Sequence, residues 1–441
     1  MDRSRTDLTR PDRSRTDFTR PDRSRTDLTR SAHGGPELDR EVPVLLVKVG
    51  HYPQTPSHLG AVRSFGRLGV PVYAMVEDRL TPTAVSRYLT GAFVRPSTGR
   101  EPPGQLLAAI LAAGRRIGRP SVAVATDDES AVLLAEHRAE LARWFLLPPV
   151  PAELPRRLAS KAGLHAICRE ADVPTPRACA PGSRAELVDA GRRWGYPLVL
   201  KNLEPFTRLR HPAVGHTTVV RSEEELLATL ARGGPDGGAP SVLAQEYLPP
   251  ERSEDWITHL CCGPDGEPLA LFTGRKVRSW PPGRGVTARA RACPNPELAA
   301  LAARLCRRIG YRGVADLDWR LDLRDGRYKL VDFNPRTGAQ FRLFETVDGV
   351  DVVRALHLTL TGRPVPSGAQ LSRSFGVGQI DLLSMLATSW GERRAPRDVW
   401  PRRSTERAWL CRDDLAPTVA EAARFGCSAV RVLAGSVRNR G

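Results

Sequence analysis

From Val42 onward, short apolar runs alternate with stretches whose apolar residues recur at helical spacing. "VPVLLVKVG" (Val42 to Gly50) is a continuous apolar run and predicts a parallel strand buried on both faces. A helix-like stretch follows from His58 to Leu68, and "GVPVYAMVED" predicts a second strand. "PPGQLLAAILAAGRRIG" reads as a helix and "PSVAVATDDES" as a third strand, which leads into the helix "SAVLLAEHRAEL". Strand and helix in alternation predict crossover units and a doubly wound α/β sheet. The acidic turn Asp127-Asp128-Glu129 falls at a strand's carboxyl end, where such sheets take ligands. No GxGxxG follows the first strand, which argues against a dinucleotide site.

A second unit begins after "LLPPVPAELP". The pattern predicts a helix from about Lys161 to Ala171, ended by Pro174, and a strand "WGYPLVLKN" that carries Lys201. A helix "EEELLATLARGG" and a strand "SVLAQEYLP" follow. "PNPELAALAARLCRRIGYRG" then places Leu298, Leu301, Leu305 and Ile309 on one helical stripe.

The segment "VADLDWRLDLRDGRYKLVDFNPRTG", Val314 to Gly338, alternates like strand but carries acids where strands disfavour them. Arg324-Asp325-Gly326 fits a three-residue hairpin loop with Gly326 in the left-handed position. Leu323 then pairs with Arg327, Asp318 faces Asp332, and Asp316 faces Asn334. These four share one face, while Leu317, Trp319, Leu321, Val331 and Phe333 share the apolar other. Opposed carboxylates repel and call for a cation between them. Two carboxylates and an amide oxygen suit Mg²⁺, while a solvated face paired with arginines is the alternative.

Composition changes this picture in three ways. The first thirty residues repeat an Asp-Arg-Ser-Arg-Thr-Asp unit with one apolar residue, Leu8, Phe18 or Leu28, per copy, too few to order themselves, and predict a disordered arm over residues 1–41. The net charge is +17, but of the 66 basic residues only Lys48, Lys161, Lys201, Lys276 and Lys329 are lysine. The arginine excess is spread along the chain without basic blocks among aromatics, which argues against nucleic acid as the main partner. A lysine that survives such a bias marks a place for a compact ammonium, as in a crowded phosphate site. Eight cysteines without a CxxC pair, a polar N-terminus and no long apolar run predict a cytoplasmic protein without a membrane span.

With Asn334-Pro335-Arg336 following Asp332, the chain resembles the ATP-grasp superfamily. "SKAGLHAICREADVPTP" is similar to that family's first lysine helix, "GYPLVLK" to its second lysine strand and "LAQEYLP" to its adenine hinge. "TGRKVRSWPPG" is similar to the strand that sets a basic side chain over the γ-phosphate. Three of the five lysines lie on these motifs, which run from about Val42 to Thr361. Within the superfamily, carboxylate–amine ligases of the D-aspartate ligase type show the best resemblance, with "WLCRDDLAPTVAEA" similar to their ending.

The resemblance implies ATP and Mg²⁺ (or Mn²⁺) as cofactors, with small-molecule carboxylate and amine substrates. Lys161 and Lys201 would meet the α- and β-phosphates. The hinge at Gln245, Glu246 and Leu248 would meet adenine, and Glu254 the ribose, with Glu251 and Asp255 as competitors. Asp318, Asp332 and Asn334 would hold the metal, and Arg336 and Lys276 would stabilise the transferring phosphoryl group. Arg278, Arg284 and Arg289 are candidates to hold the acid. The expected organisation is α/β: a Rossmann-like pre-ATP-grasp domain over 42–150, then a two-lobed ATP-grasp α+β domain over 151–365. Its lobes cover about 155–244 and 245–365, and a C-terminal extension over 366–441 packs on the ATP-grasp domain. The implied activity joins a carboxylate, activated as an acyl phosphate, to an amine. Another ATP-grasp reaction (carboxylase or phosphoryl transfer) and a non-catalytic nucleotide or nucleic-acid binder are the alternatives, and an oligomer is compatible with the sequence.

The sequence departs from the family pattern in three places. The segment after Lys201, "NLEPFTRLRHPAVGHTTVV", has only Gly215 where a glycine-rich phosphate loop is usual, so His216, Thr217 and Thr218 either donate to phosphate or begin the next strand. Ser160 stands where aspartate is common before the first lysine, and Asp332 replaces a glutamate one methylene longer.

Overall fold

The computed structural model describes residues 35–52, 54–98, 100–204, 206, 214–215, 217–231, 241–282, 285–392 and 405–438. Strands β1 (Val44–Val47), β2 (Val72–Val76), β3 (Gly91–Val94), β4 (Ser121–Ala125) and β5 (Phe145–Leu146) form a parallel sheet in the order β3-β2-β1-β4-β5. β1 is flanked on both sides, by β2 and β4, so all four of its residues are buried. The chain builds outward from β1 in one direction, then returns to add β4 and β5 on the other. The carboxyl ends of β1 and β4 thus form the switch point where such sheets leave a crevice.

The crossover helices obey their local chemistry. Helix Pro56–Gly66 starts on proline, which needs no N–H there. Helix Pro103–Ile117 turns Leu106, Leu107, Ile110 and Ala113 inward and stops at Gly118, whose φ is 78°. Helix Asp128–Glu136 is started by Asp127, whose side chain accepts from Ser130 N in a capping box.

A small antiparallel sheet follows: β6 (Ala178–Cys179), β7 (Leu198–Asn202), β8 (Thr218–Val220) and β9 (Val242–Glu246), in the order β6-β9-β7-β8. Leu187 and Leu226, from helices Arg184–Trp194 and Glu223–Ala231, pack with Leu198, Leu200 and Val242 beneath it. Thr218 belongs to β8, as the strand alternative expects.

The large sheet contains β10 (Ser253–Cys262), β11 (Pro268–Trp280), β12 (Val286–Ala292), β13 (Gly313–Asp322), β14 (Arg327–Asn334), β15 (Ser374–Gly376) and β16 (Thr405–Arg407). Their order is β14-β13-β10-β11-β12-β15-β16. Helix Pro296–Ile309 lays Leu298, Leu301 and Leu305 on one face of this sheet, with Ile309 at the margin. Together the three sheets form a doubly wound N-terminal unit followed by a two-lobed α+β domain.

Two boundaries differ from the sequence reading. Residues 1–34 of the expected arm lie outside the described residues, but Leu38 is 5% exposed and packs into the core beside Val44 and Phe65. An apolar residue with a core to reach is ordered even next to a polar repeat. The expectation for the C-terminal segment names only the ATP-grasp domain as its support. The segment does add β15 and β16 to the large sheet, but it also docks on the N-terminal unit, where Arg63 pairs with Asp414 at 2.9 Å. One hydrophobic cluster accordingly runs from Val44 and Phe65 through Phe344 and Leu356 to Phe375 and Trp409.

Candidate functional site

β13 and β14 form the acidic hairpin. Asp318 faces Asp332 and Asp316 faces Asn334, as the alternation requires. The loop is one residue longer than expected: Asp322, not Leu323, pairs with Arg327, and Gly326 has φ 70°. A bulge offsets that extra residue, because Trp319 faces Leu330 and Val331 has no partner across the ladder. The cause is apolar burial. A three-residue loop would turn Tyr328 and Leu330 to the acidic face, whereas the observed register packs both into the core with Trp319 and Phe333. Val331, expected on that apolar face, is instead the half-buried bulge residue.

Three scarce lysines converge on this hairpin. Lys161 opens helix Lys161–Glu170, and its Nζ lies 2.5 Å from Asp332 Oδ1. Ser160 caps that helix by accepting from Gly163 N, so serine performs the structural task of the usual aspartate. Lys201, at the end of β7, is 7% exposed and donates to the Val331 carbonyl at 3.2 Å. Burial lowers its ammonium to about 8, helped by Lys161 and opposed by Asp332 and Asp318. Lys276, on β11, lies 2.6 Å from Asp318 Oδ1. Burial alone would lower it, but the carboxylates of Asp318, Asp255 and Asp316 hold it above the ordinary lysine value. Asp318 moves the other way: burial raises it, as do Asp316 and Asp332, against the pull of Lys276. Lys48 and Lys329 serve elsewhere, on Glu77 and Asp322.

Arg336 follows β14 and reaches back over the acidic face. Its NH1 lies 3.1 Å from Asp316 Oδ2 and its Nε 3.2 Å from Asp128 Oδ1, so the acidic turn of the N-terminal unit joins the site. His259 Nε2 lies 2.9 Å from Asp316 Oδ1. Burial would raise Asp316, yet His259, Arg336 and Lys276 bring it down to about 2. Thr337 N donates to Ala125 O, and a Cβ on Gly338 would stand 2.4 Å from both Asp316 Oδ2 and His259 Cε1. His259 had no motif to announce it; the available signal was a histidine in the apolar half of β10, opposite Asp316.

Asn334 Nδ2 donates to Asp316 O, which leaves the Asn334 amide oxygen for another cation. Among the described residues no three His, Cys, Asp or Glu side chains stand together as a metal-binding group. The donor set is therefore two lysine-paired carboxylates, Asp318 and Asp332, and one amide. It fits a hard divalent ion that takes its remaining ligands from water and phosphate.

At the hinge, Gln245 sits in β9 between Ala178 and Val199. The Glu246 carboxylate is held by Arg177 and Arg324, and Leu248 O accepts from Arg320. Glu254 lies on the face opposite the acidic one. Glu254 faces Leu321, on the same side as Trp256 and Trp319, and its carboxylate takes Arg275 at 2.8 Å. Asp255 faces Arg320 and shares the side of Asp318, because side chains alternate along β10. Arg278 and Arg289 both meet Asp381, at 2.7 and 3.3 Å, a partner no sequence motif marked. Arg284, His216 and residues 207–213 of the segment after Lys201 lie outside the described residues.

No family model matches the chain. It is 24% identical over 307 residues to a D-aspartate ligase of Enterococcus faecium, covering 67% of this chain and 72% of that protein. Its fold is shared by N5-carboxyaminoimidazole synthetase of Staphylococcus aureus complexed with ADP: TM-score 0.58, 11% identity, 80% of this chain and 87% of that one. The biotin carboxylase domain dimer of Hydrogenobacter thermophilus 2-oxoglutarate carboxylase, in complex with MgADP and bicarbonate, superposes with TM-score 0.55 and 16% identity, covering 77% of this chain and 74% of that one.

Proposed function

We infer that the chain belongs to the ATP-grasp superfamily, and propose that it is an ATP- and Mg²⁺-dependent ligase joining a carboxylate to an amine. One observation carries the reading: three of five lysines and two facing aspartates, scattered through the sequence, meet on one hairpin.

Their roles follow from their charges. Lys161 and Lys201 supply point charges to the triphosphate. Lys161 now neutralises Asp332 and Lys276 neutralises Asp318, so the like charges across the hairpin are held at peace. A triphosphate would compete for these ammonium groups, and Asp318, Asp332 and Asn334 would then hold Mg²⁺, which would supply positive charge to the transferring phosphoryl group. Arg336 lies close to Asp316 and Asp128, which orient its guanidinium before phosphate arrives, so little reorganisation is left for the reaction. Asp255, rather than Glu254, is the carboxylate on the catalytic face that can reach the ribose. A carboxylate is a poor electrophile, and phosphoryl transfer gives it a leaving group that an amine then displaces. The residues position the groups and exclude water from the acyl phosphate.

A screen of acid and amine pairs on the full chain tests the reading. Acid-dependent ADP release with amide formed on adding an amine is expected; ADP release that no acid stimulates would overturn it. A second reading, carboxylation, draws on the neighbours named as a carboxylase and a carboxyaminoimidazole synthetase. Bicarbonate-dependent ADP release without amide would favour it. No described helix is long and apolar enough to cross a membrane, and all eight cysteines are free, which supports placing the protein in the reducing cytoplasm.

A further inference from the structure

The carboxyl edge of the N-terminal sheet carries a chain of polar contacts leading away from Arg336. Asp128 meets Arg336, and its neighbour Asp127 accepts from Val49 N and Gly50 N at 2.8 and 2.7 Å. Lys48 pairs with Glu77 and donates to Tyr52 O. Two residues on, Gln54 donates to Glu421 Oε1 at 2.9 Å. Gln379, which follows β15, donates to the same oxygen. Three segments far apart in sequence thus meet at one carboxyl group, on helix Ala416–Arg438.

Glu421 is 4% exposed, and its other oxygen, Oε2, has no hydrogen-bond partner among the described residues. The charges around it are otherwise matched, Lys48 with Glu77 and Arg424 with Asp78. No ion pair reaches Glu421 among the described residues. Burial pushes its carboxyl up to about 7 against the pull of Gln54, Gln379 and Arg424, as expected for a buried acid short of a cation. Gln54 and Gln379 are half-buried, so the two amides lie between Glu421 and solvent. Each amide that donates its NH₂ keeps a carbonyl oxygen as an acceptor beside the carboxylate. An ammonium brings three N–H donors and the missing positive charge.

We propose that Glu421, with Gln54 and Gln379, forms a binding site for the ammonium group of a substrate. The proposal rests on the ligase reading and deepens it. The ammonium has two sources: the amino group of an amino acid whose carboxylate is activated, or the amine nucleophile in its protonated resting form.

Thermal unfolding of the full chain tests the site without turnover. Methylammonium chloride is compared with tetramethylammonium chloride, which has no N–H, at equal concentration. The wild type should gain about 1 °C or more in Tm from methylammonium over its methylated counterpart. Glu421→Gln should lose that difference, and Gln379→Ala, which removes one amide, should reduce it. No difference in the wild type, or an equal one in Glu421→Gln, overturns the site. Hydroxylamine capture of activated acids separates the sources, with aspartate against succinate and alanine against propionate. If Glu421→Gln lowers the preference for the amino-bearing acid at least ten-fold, the ammonium belongs to the acid. If instead the KM for n-butylamine rises at least ten-fold, it belongs to the nucleophile. A variant that changes neither overturns the assignment. A wild type that activates no acid defeats the ligase reading, while the unfolding comparison still decides the site.

Discussion

Burial holds the Lys201 ammonium at about 8 against an ordinary value of 10.5. Below pH 8 the group is charged in both folded and unfolded chains, so the cost of burying it is present in full. Between pH 8 and 10.5 the unfolded chain binds more protons, so stability rises with pH. Lys201→Met should therefore stabilise the free protein at pH 7 by about 2–3 kcal/mol and remove that rise, while ending turnover. Denaturant titrations at pH 7 and 10 check this, and a less stable variant at pH 7 would contradict it. Arg336→Ala should lower kcat by about 10²–10³, measured by ADP release, and should also cost stability, because it leaves the buried Asp316 and Asp128 carboxylates short of a cation. Gly338→Ala should be as damaging, because its methyl would meet Asp316 Oδ2 and His259 Cε1 at 2.4 Å. At this scale the three lysines that meet on the hairpin were readable, because an arginine-rich composition made each lysine informative. His259 and Asp255 were not, since a polar residue in a strand does not reveal which side it faces until register is known, and Asp381 was not, since nothing local links the start of helix Gly378–Glu392 to Arg278 and Arg289.

The hairpin shows how far pattern reaches at the scale of an element. Alternation identified the Asp318–Asp332 and Asp316–Asn334 pairs, yet placed them with a loop one residue too short and no bulge. The two errors cancel at Asp318, because either arrangement puts the acids together. What separates the arrangements is the burial of Tyr328 and Leu330, a tertiary preference that strand alternation alone does not weigh. The bulge also sets the Val331 carbonyl where Lys201 donates to it. Deleting Val331 would keep Trp319 opposite Leu330 and Asp318 opposite Asp332 but remove that carbonyl. Cooperative unfolding should persist and ADP affinity should fall, by calorimetry; unchanged affinity would separate the bulge from nucleotide binding. The strands β3 and β5 and the C-terminal strands β15 and β16 left little trace in the pattern because each is only two to four residues long.

Across the whole molecule, the N-terminal unit, the large sheet and the C-terminal segment share one core, so the N-terminal unit's position over the hairpin is fixed by packing as well as by Arg336. Arg63 is 3% exposed and depends on Asp414 from the C-terminal segment, together with the carbonyls of Ala408 and Trp409. Asp414→Ala leaves a buried guanidinium without its counter-charge and should cost about 3–5 kcal/mol in denaturant unfolding. A loss below about 1 kcal/mol would show that the segment is not needed to hold the N-terminal unit. Sequence reading reached the order of the units but not this closure, because nothing local links Arg63 to a residue so far along the chain. The proposed ligase requires lysines and a divalent cation to exchange places on the facing aspartates when nucleotide binds. Titration of Mn²⁺ into the full chain, followed by electron paramagnetic resonance with and without ADP, measures this directly. The wild type should bind Mn²⁺ at least ten-fold more tightly with ADP, and Asp332→Ala should lose that gain. An equal gain in Asp332→Ala would contradict the account.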